Sequence, residues 1–164
     1  MTRVYLALGS NVGDTAAHIR QAIELLRPLL DDLKQAPLYR TKAVGYTDQA
    51  DFCNTAVSGL TDLEPPALLS RLKDIERKVG RTPTFRHGPR EIDIDIIFYG
   101  DQRLASPDLT IPHPQFAARD FVLQPLADLE PSFTDPLSGQ TVQALLAQLG
   151  PQQKSIIQKV DADA

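Results

Sequence analysis

Apolar and polar positions recur with the periods of strands and helices along the first part of the chain. The apolar run Val4–Leu8 predicts a buried strand, and the glycines and polar residues at positions 9–13 predict a turn after it. Asp14 is a typical helix N-cap. Apolar residues at helical spacing then predict an amphipathic helix over residues 15–30.

The next segments have the two-residue period of strands. Residues 33–40 indicate an extended segment, which Pro37 interrupts or confines to a sheet edge. The polar residues 41–51 indicate a loop, and Phe52–Leu60 predict another strand. Because side chains alternate along a strand, we expect one face to carry Phe52, Asn54, Ala56 and Ser58 and the other Cys53, Thr55 and Val57.

A second helix and a strong strand follow. Pro65 suits the first turn of that helix and Gly80 its end. The polar residues 81–89 indicate a loop, and Ile92–Tyr99 predict the strand. The order β-α-β-β-α-β predicts an α+β protein with the ferredoxin-like split βαβ fold, in which both helices pack on one face of a mainly antiparallel sheet.

The last third of the chain is rich in proline. It predicts a short helix around Gln115–Leu129 and another around Val142–Leu149. We expect residues 155–164 to form a loose tail. The length of 164 residues is typical of one domain, so a single domain over 1–164 is predicted.

Composition and charge exclude several classes of protein. With 42% hydrophobic residues, the chain can build a sizeable core and is not expected to be disordered. Its apolar runs are too short to predict a membrane span, and its N-terminal apolar run is too brief for a signal peptide. A single cysteine excludes an intramolecular disulfide and favours the cytosol. The net charge of -4 argues against a general nucleic-acid binder. Separately, we expect the protein to be a monomer.

Positive charge is concentrated within residues 71–90, which hold seven basic and two acidic side chains. Ion pairs on a solvated helix face explain those that lie on the predicted helix. Arg81, Arg86 and Arg90 lie beyond that helix, and they indicate a local site for a small polyanion.

Two acidic residues interrupt the strand that follows. Asp93 and Asp95 are two positions apart, so their side chains are expected on one face, roughly 6–7 Å apart at the backbone. Neighbouring carboxylates repel each other and Asp is depleted in strands, although a solvated strand face also accommodates it. The residues expected on the opposite face, toward the core, are Ile92, Ile94, Ile96 and Phe98.

Such a pair of carboxylates is suited to binding a hard cation. Mg²⁺ in particular takes one or two carboxylates and completes its ligands with phosphate oxygens and water. The arginines just upstream present guanidinium groups that fork onto phosphate oxygens. Together these features favour phosphoryl transfer, which depends on positioning and charge neutralisation.

The segment Arg86-His-Gly-Pro-Arg90-Glu-Ile-Asp93-Ile-Asp95 resembles the signature of the 6-hydroxymethyl-7,8-dihydropterin pyrophosphokinase family. The resemblance covers roughly residues 4–150, and its other matching segments begin at Ala7, Tyr39, Asp51, Thr110 and Arg119. It implies a ferredoxin-like enzyme of folate biosynthesis that transfers pyrophosphate from ATP to the hydroxymethyl group of the pterin, giving the pterin diphosphate and AMP. The chain departs from the family by having no Trp, with His87 at a position where Trp is common.

The resemblance also implies the residues of the site. Asp93 and Asp95 would ligate two Mg²⁺ ions and, with Arg81 and Arg90, would be the catalytic residues. Phe52 and Phe121 would sandwich the flat pterin. The full pterin-binding set is Thr41, Val44, Gly45, Phe52, Asn54 and Phe121. The full ATP-binding set is Leu69, Lys73, Glu76, Arg81, Arg86, His87, Arg90, Ile96, Thr110, His113 and Arg119.

Two other functions compete with this interpretation. The Asp-x-Asp pattern alone also fits other metal-dependent nucleotide enzymes, such as nucleotidyl or glycosyl transferases. A non-enzymatic ferredoxin-like module that binds RNA or regulates a partner is the third possibility, although two aspartates on the open sheet would repel phosphate. Each aromatic residue has a plain role in the core as its alternative, and Asn54 has one as a buried structural amide.

Overall fold

A central antiparallel sheet organises the chain in the computed structural model, which describes residues 1–160. The strands are β1 (Thr2–Ser10), β2 (Asp31–Gln35), β3 (Leu38–Thr41), β4 (Phe52–Thr61), β5 (Asp93–Tyr99), β6 (Leu104–Ala105), β7 (Thr110–Ile111) and β8 (Ile156–Val160). The helices are α1 (Thr15–Leu26), α2 (Pro65–Val79), α3 (Asp120–Leu129) and α4 (Val142–Ala147), with short 3₁₀ turns at Phe116–Ala118 and Pro151–Gln153.

The strand order confirms the predicted ferredoxin-like fold. The main sheet runs β5-β1-β4-β3-β8, with β2 also paired to β4, and all of these pairs are antiparallel. The predicted strand over residues 33–40 is divided into β2 and β3 at Ala36 and Pro37. Both halves pair with β4, and the Thr55 hydroxyl donates to the carbonyl oxygens of Ala36 and Pro37, each at 3.0 Å.

Each face of the sheet is covered by two helices. Helices α1 and α2 pack on one face, where Ile23 and Leu72 lie in the same cluster as Leu6. Helices α3 and α4 cover the other face, where Leu123 packs with Tyr5. Helix α1 ends at Leu26, earlier than predicted, because Pro28 has no N–H to continue the helical hydrogen bonds. Among residues 1–160, no helix combines the length and apolar character needed to cross a bilayer.

A bulge in β5 changes the predicted orientation of Phe98. Tyr5 is opposite Phe98, but the next residue of β1, Leu6, is opposite Ile96, so Ile97 is an extra residue. Phe98 therefore packs under α3 with Tyr5, and the prediction that it shares the face of Ile96 is wrong. Asp93 and Asp95 precede the bulge, so they keep the expected alternation, with Ile94 in the opposite core.

The C-terminal segment is a strand up to residue 160. Ile156–Val160 forms β8 and pairs with β3, so the expectation of a loose tail is wrong for these residues. Pairing with a strand far away in sequence holds the segment, and local hydrophobic periodicity does not reveal such pairing. Residues 161–164, which were also assigned to the tail, lie outside the described residues.

Candidate active site

Two cavities of about 290 Å³ each are lined in part by residues of β5. Asp93, Asp95 and His113 line both of them. The cavity that includes residues of β3, β4 and α3 is called the first cavity below. The one that includes residues of α2 is called the second cavity. The two aspartates thus lie where two binding spaces meet.

The first cavity brings together five of the six residues predicted to bind the pterin. Asn54 is held by a hydrogen bond from Nδ2 to the Thr41 hydroxyl at 2.7 Å, which fixes the plane of its amide. Gly9 faces it, and a Cβ at that position would lie 2.6 Å from Asn54 Oδ1, so only glycine leaves room for the amide. The five lining residues are Thr41, Val44, Phe52, Asn54 and Phe121.

Gly45, the sixth predicted residue, is not among the lining residues. Its φ of 89° lies in the left-handed region, and a Cβ there would meet His87 Cγ at 2.8 Å. The glycine instead allows the 42–51 loop to contact the 81–92 loop closely. His87 itself lines the first cavity. Burial, followed by the charges of Arg86 and Arg119, lowers the pKa of His87 below its ordinary value.

Two guanidinium groups lie over the two aromatic rings of the first cavity. Arg90 Cζ is 5.2 Å from the centre of the Phe52 ring, and Arg119 Cζ is 5.6 Å from the centre of the Phe121 ring. Both distances fit a cation–π contact. Arg119 also donates a hydrogen bond to Gln115 Oε1. Each pair therefore places a flat apolar surface beside a positive charge.

The second cavity combines apolar side chains with charged ones. Leu69, Lys73 and Glu76 reach it from α2, and Ile96 reaches it from β5. The remaining residues predicted to bind ATP that line it are Arg81, Thr110 and His113. The residues at positions 107–109 also line this cavity, and the predicted ATP-binding set does not include them.

Asp93 is the centre of an ion-pair network. Arg81 Nη1 lies 3.0 Å from Asp93 Oδ1 and 3.3 Å from Glu76 Oε2, and Arg90 Nη1 lies 3.2 Å from Asp93 Oδ2. Glu76 also accepts a hydrogen bond from the Ile94 N–H at 2.8 Å. Burial raises the pKa of Glu76, against the effect of that hydrogen bond. Two arginines thus converge on one carboxylate at the junction of the cavities.

Within residues 1–160, Asp95 forms no ion pair with an arginine of the kind that Asp93 forms. Burial, followed by the charges of Asp93 and Glu76, raises the pKa of Asp95 to about 7. Burial, together with repulsion from the two neighbouring carboxylates, accounts for this resistance to ionisation. The donors fit Mg²⁺, which commonly uses one or two carboxylates and takes phosphate oxygens for the rest. Among residues 1–160, no group of three or more His, Cys, Asp or Glu side chains is arranged to hold a metal ion.

His113 is held in one tautomer. Its Nδ1 accepts a hydrogen bond from the Gln115 N–H at 3.1 Å, and burial, followed by the charge of Arg119, lowers its pKa to about 4. The ring is therefore neutral at pH 7 and carries its proton on Nε2. Since His113 lines both cavities, it can donate a hydrogen bond at their junction.

Asn11, for which the sequence predicts only a turn, connects the two loops at the mouth of the first cavity. Its Nδ2 donates to Gln49 Oε1 at 2.9 Å and to the Ala50 carbonyl oxygen at 3.0 Å. Its Oδ1 accepts from the Arg90 N–H at 2.9 Å. Gln49 in turn donates to the His87 carbonyl oxygen at 2.7 Å. The Gly-Ser-Asn sequence at the end of a strand was the available signal, because such a turn leaves a polar side chain free to bind other loops.

Comparison with known proteins identifies the family. The sequence model described as "7,8-dihydro-6-hydroxymethylpterin-pyrophosphokinase (HPPK)" matches residues 5–131. The 2-amino-4-hydroxy-6-hydroxymethyldihydropteridine pyrophosphokinase of Aquifex aeolicus is 43% identical over 137 residues, which are 84% of this chain and 86% of that protein. The protein of the same name from Bacillus subtilis is 42% identical over 127 residues, 76% of each chain.

Larger proteins contain a similar unit. The mitochondrial folate synthesis bifunctional protein of Arabidopsis thaliana is 47% identical over 80% of this chain, which spans only 24% of that protein. The crystal structure of Plasmodium falciparum HPPK-DHPS with pterin and p-hydroxybenzoate superposes with a TM-score of 0.72 at 17% identity, covering 90% of this chain and 41% of that one. The chain belongs to the 7,8-dihydro-6-hydroxymethylpterin-pyrophosphokinase family.

Proposed function

We propose that this protein transfers pyrophosphate from ATP to the hydroxymethyl group of 6-hydroxymethyl-7,8-dihydropterin, giving the pterin diphosphate and AMP in folate biosynthesis. The observation that carries the proposal is the meeting of two cavities at Asp93 and Asp95. A transfer between two bound substrates needs two adjoining spaces, with charge neutralisation where they meet. Membership of the pyrophosphokinase family supports the same reaction.

The first cavity is the proposed site of the pterin. Phe52 and Phe121 supply ring surfaces for a flat heterocycle. Asn54, its amide plane fixed by Thr41, offers both a donor and an acceptor to an aminopyrimidinone edge. His87, which the family resemblance assigns to ATP, lines this cavity and not the second one, so we propose it as a partner of the pterin on the loop side. Val44 adds apolar contact.

The second cavity is the proposed site of ATP. Leu69 and Ile96 provide apolar contact for the base, and Thr110 and His113 provide hydrogen-bonding groups. The triphosphate would extend toward Asp93, where Arg81 and Arg90 already converge. Arg86 and Arg119 line the neighbouring wall and would bind phosphate oxygens there.

Asp93 and Asp95 are the proposed holders of Mg²⁺. When bound, Mg²⁺ would neutralise charge on the phosphates and hold them in position for transfer. A divalent cation also relieves the repulsion between the two carboxylates, which opposes the ionisation of Asp95 in its absence. Binding of phosphate and cation would let Arg81 and Arg90 exchange their contacts with Asp93 for contacts with phosphate oxygens.

The proposed chemistry is one in-line displacement. The hydroxymethyl oxygen of the pterin attacks the β-phosphorus of ATP and forms an O–P bond. The bond from the β-phosphorus to the oxygen bridging the α- and β-phosphates breaks, and AMP leaves with that oxygen. The hydroxymethyl proton passes to solvent. Arg81, Arg90 and Arg119 would stabilise the charge that develops on the transferred group, and His113 would donate from Nε2.

We further propose that the chain acts as a monomer, as a single domain and in the cytosol. The single cysteine, Cys53, is buried, and burial raises its pKa to about 11, as for a cysteine with a packing role.

The reaction is tested by measuring AMP release in the presence of Mg²⁺ and ATP, with and without 6-hydroxymethyl-7,8-dihydropterin. The proposal predicts AMP in amounts equal to a new pterin product that carries two phosphates by mass spectrometry. Release of ADP or of pyrophosphate, or AMP release that does not depend on the pterin, would contradict it. The Asp101→Asn variant, which alters an exposed carboxylate in the turn after β5, is the matched control and should keep full activity.

A further inference from the structure

Ser155 is hydrogen-bonded to Asp120 and Lys42, which belong to two segments at the first cavity, residues 119–122 and 41–44. These two segments are called the two walls below. The Ser155 hydroxyl donates to Asp120 Oδ1, and its N–H donates to Asp120 Oδ2 at 2.8 Å. Its carbonyl oxygen accepts a hydrogen bond from the Lys42 N–H at 2.9 Å. Ser155 is 6% exposed and Asp120 is 3% exposed, so water competes little for these hydrogen bonds.

Asp120 lies within one of the two walls. It begins α3, directly between Arg119 and Phe121, which both line the first cavity. Its carboxylate accepts a third hydrogen bond from the Ile156 N–H at 3.1 Å. A buried carboxylate is costly unless its oxygens are bonded, and these three bonds come from residues 155–156. The direction of the first turn of α3 therefore depends on the C-terminal segment.

Lys42 lies within the other wall. It lines the cavity and directly follows β3, after Thr41 and two residues before Val44, which also line it. β3 pairs regularly with β4 up to Thr41, whereas its pairing with β8 is irregular between Arg40 and Thr41. The bond from the Lys42 N–H to the Ser155 carbonyl oxygen connects the residue beyond this pairing to the C-terminal segment.

We propose that Ser155 is a positioning residue that sets the separation of the two walls, and with it the fit of the pterin. The inference rests on the proposed function, since it assigns the first cavity to the pterin. Ser155 lies beyond residue 131, where the match to the family's sequence model ends, so the motif residues alone do not complete the site.

The protein provides a matched control for a purely structural role. Asp135 is also 3% exposed, and it accepts hydrogen bonds from the Ser138 hydroxyl at 2.7 Å and the Ser138 N–H at 3.2 Å. This second Asp–Ser pair lies between α3 and α4, and neither residue lines the two cavities. Ser155→Ala and Ser138→Ala thus each remove a serine hydroxyl bonded to a buried aspartate, near the first cavity for the buried Ser155 and away from it for the exposed Ser138.

The test compares the two variants at a temperature at which circular dichroism finds both fully folded. Loss of one buried hydrogen bond at the wall should raise the pterin KM of Ser155→Ala about five- to tenfold and leave the ATP KM within about twofold. The dissociation constant of the pterin, measured with a nonhydrolysable ATP analogue, should rise by the same factor. Asp120→Asn should shift the pterin KM in the same direction, and the double variant should show less than the sum of the two effects.

A pterin KM for Ser155→Ala equal to that of the parent would overturn the positioning role, as would an equal shift in Ser138→Ala. Additive effects of Ser155→Ala and Asp120→Asn would also overturn it. Failure of the proposed function has a different signature, because the parent protein itself would then release no AMP in response to the pterin.

Discussion

Asn11 and Arg90 are joined by two reciprocal hydrogen bonds. The Asn11 N–H donates to the Arg90 carbonyl oxygen at 3.0 Å, and the Arg90 N–H donates to Asn11 Oδ1 at 2.9 Å. Arg90 is thereby fixed to the end of the central strand β1, with its guanidinium group between Phe52 and Asp93. The remaining hydrogen-bond donors of Asn11 hold the 42–51 loop.

Asn11→Ala should therefore impair both phosphate contacts and the closure of the loops. We expect a fall in kcat/KM for the pterin of about 10- to 100-fold, from the loss of several hydrogen bonds of about 1 kcal/mol each. Asn11→Asp keeps the acceptor for the Arg90 N–H but loses the donors to Gln49 and Ala50, so its loss should be smaller. Steady-state kinetics of the two variants test this order, and equal losses would contradict it.

Arg90→Lys should show whether geometry or charge matters at this position. Lysine keeps the positive charge but cannot donate in a planar fork or lie flat over the Phe52 ring. We expect kcat to fall at least about tenfold, with a melting temperature close to that of the parent. Arg77→Lys is the control, because Arg77 is exposed and its ion pair within residues 1–160 is with Asp74, three residues before it. An active Arg90→Lys variant would show that charge alone is sufficient.

Replacing Asp95 should stabilise the metal-free protein at high pH. The folded-state pKa of Asp95 is raised to about 7 from an unfolded value near 3.8, so its ionisation opposes folding. This destabilising contribution is absent below pH 3.8, grows as the pH rises from 3.8 to 7, and is complete above pH 7. In EDTA at pH 8, the free energy of unfolding of Asp95→Asn should therefore exceed that of the parent by on the order of 1–3 kcal/mol. Its melting temperature should be higher accordingly.

The same comparison at pH 4 provides the control, because both proteins are then uncharged at this position in the folded state. The difference in free energy of unfolding should shrink toward zero as the pH falls to 4. An advantage for Asp95→Asn that does not change between pH 4 and pH 8 would refute the raised pKa of Asp95.

Phe121→Leu should separate pterin binding from nucleotide binding. The ring lines the first cavity and not the second, and Arg119 lies over it. Loss of the flat surface should raise the pterin dissociation constant by about tenfold. Isothermal titration with each substrate is the measurement, with the nonhydrolysable ATP analogue expected to bind within about twofold of the parent. Equal weakening of both ligands would contradict the assignment of the first cavity to the pterin.

Much of the fold follows from local sequence signals. Helix α2 begins at Pro65 and is followed by Gly80 in a left-handed conformation, as its proline and glycine predict. The alternation along β4 places Cys53 and Ala56 in opposite cores, as expected. Phe98 could not be oriented this way, because the bulge at Ile97 depends on the register with β1, which local alternation does not reveal.

The residues of the site also divide into those that local sequence predicts and those that depend on contacts between distant segments. Asp93, Arg90 and His113 belong to motifs, and the fold brings all three to the junction of the cavities. Asn11 and Ser155 contribute through hydrogen bonds to segments distant in sequence. Such contacts arise only after the strands have paired, and short polar residues at turns carry no spacing that would identify their partners.

Asp93 and Asp95 are proposed to hold Mg²⁺ between two substrates in two adjoining cavities. A crystal structure with Mg²⁺, a nonhydrolysable ATP analogue and 6-hydroxymethyl-7,8-dihydropterin tests it most directly. We predict the pterin between Phe52 and Phe121, the nucleotide in the second cavity, and metal–oxygen distances of about 2.1 Å to both aspartates. Electron density that shows both ligands in one cavity, or no metal at either aspartate, would contradict the claim.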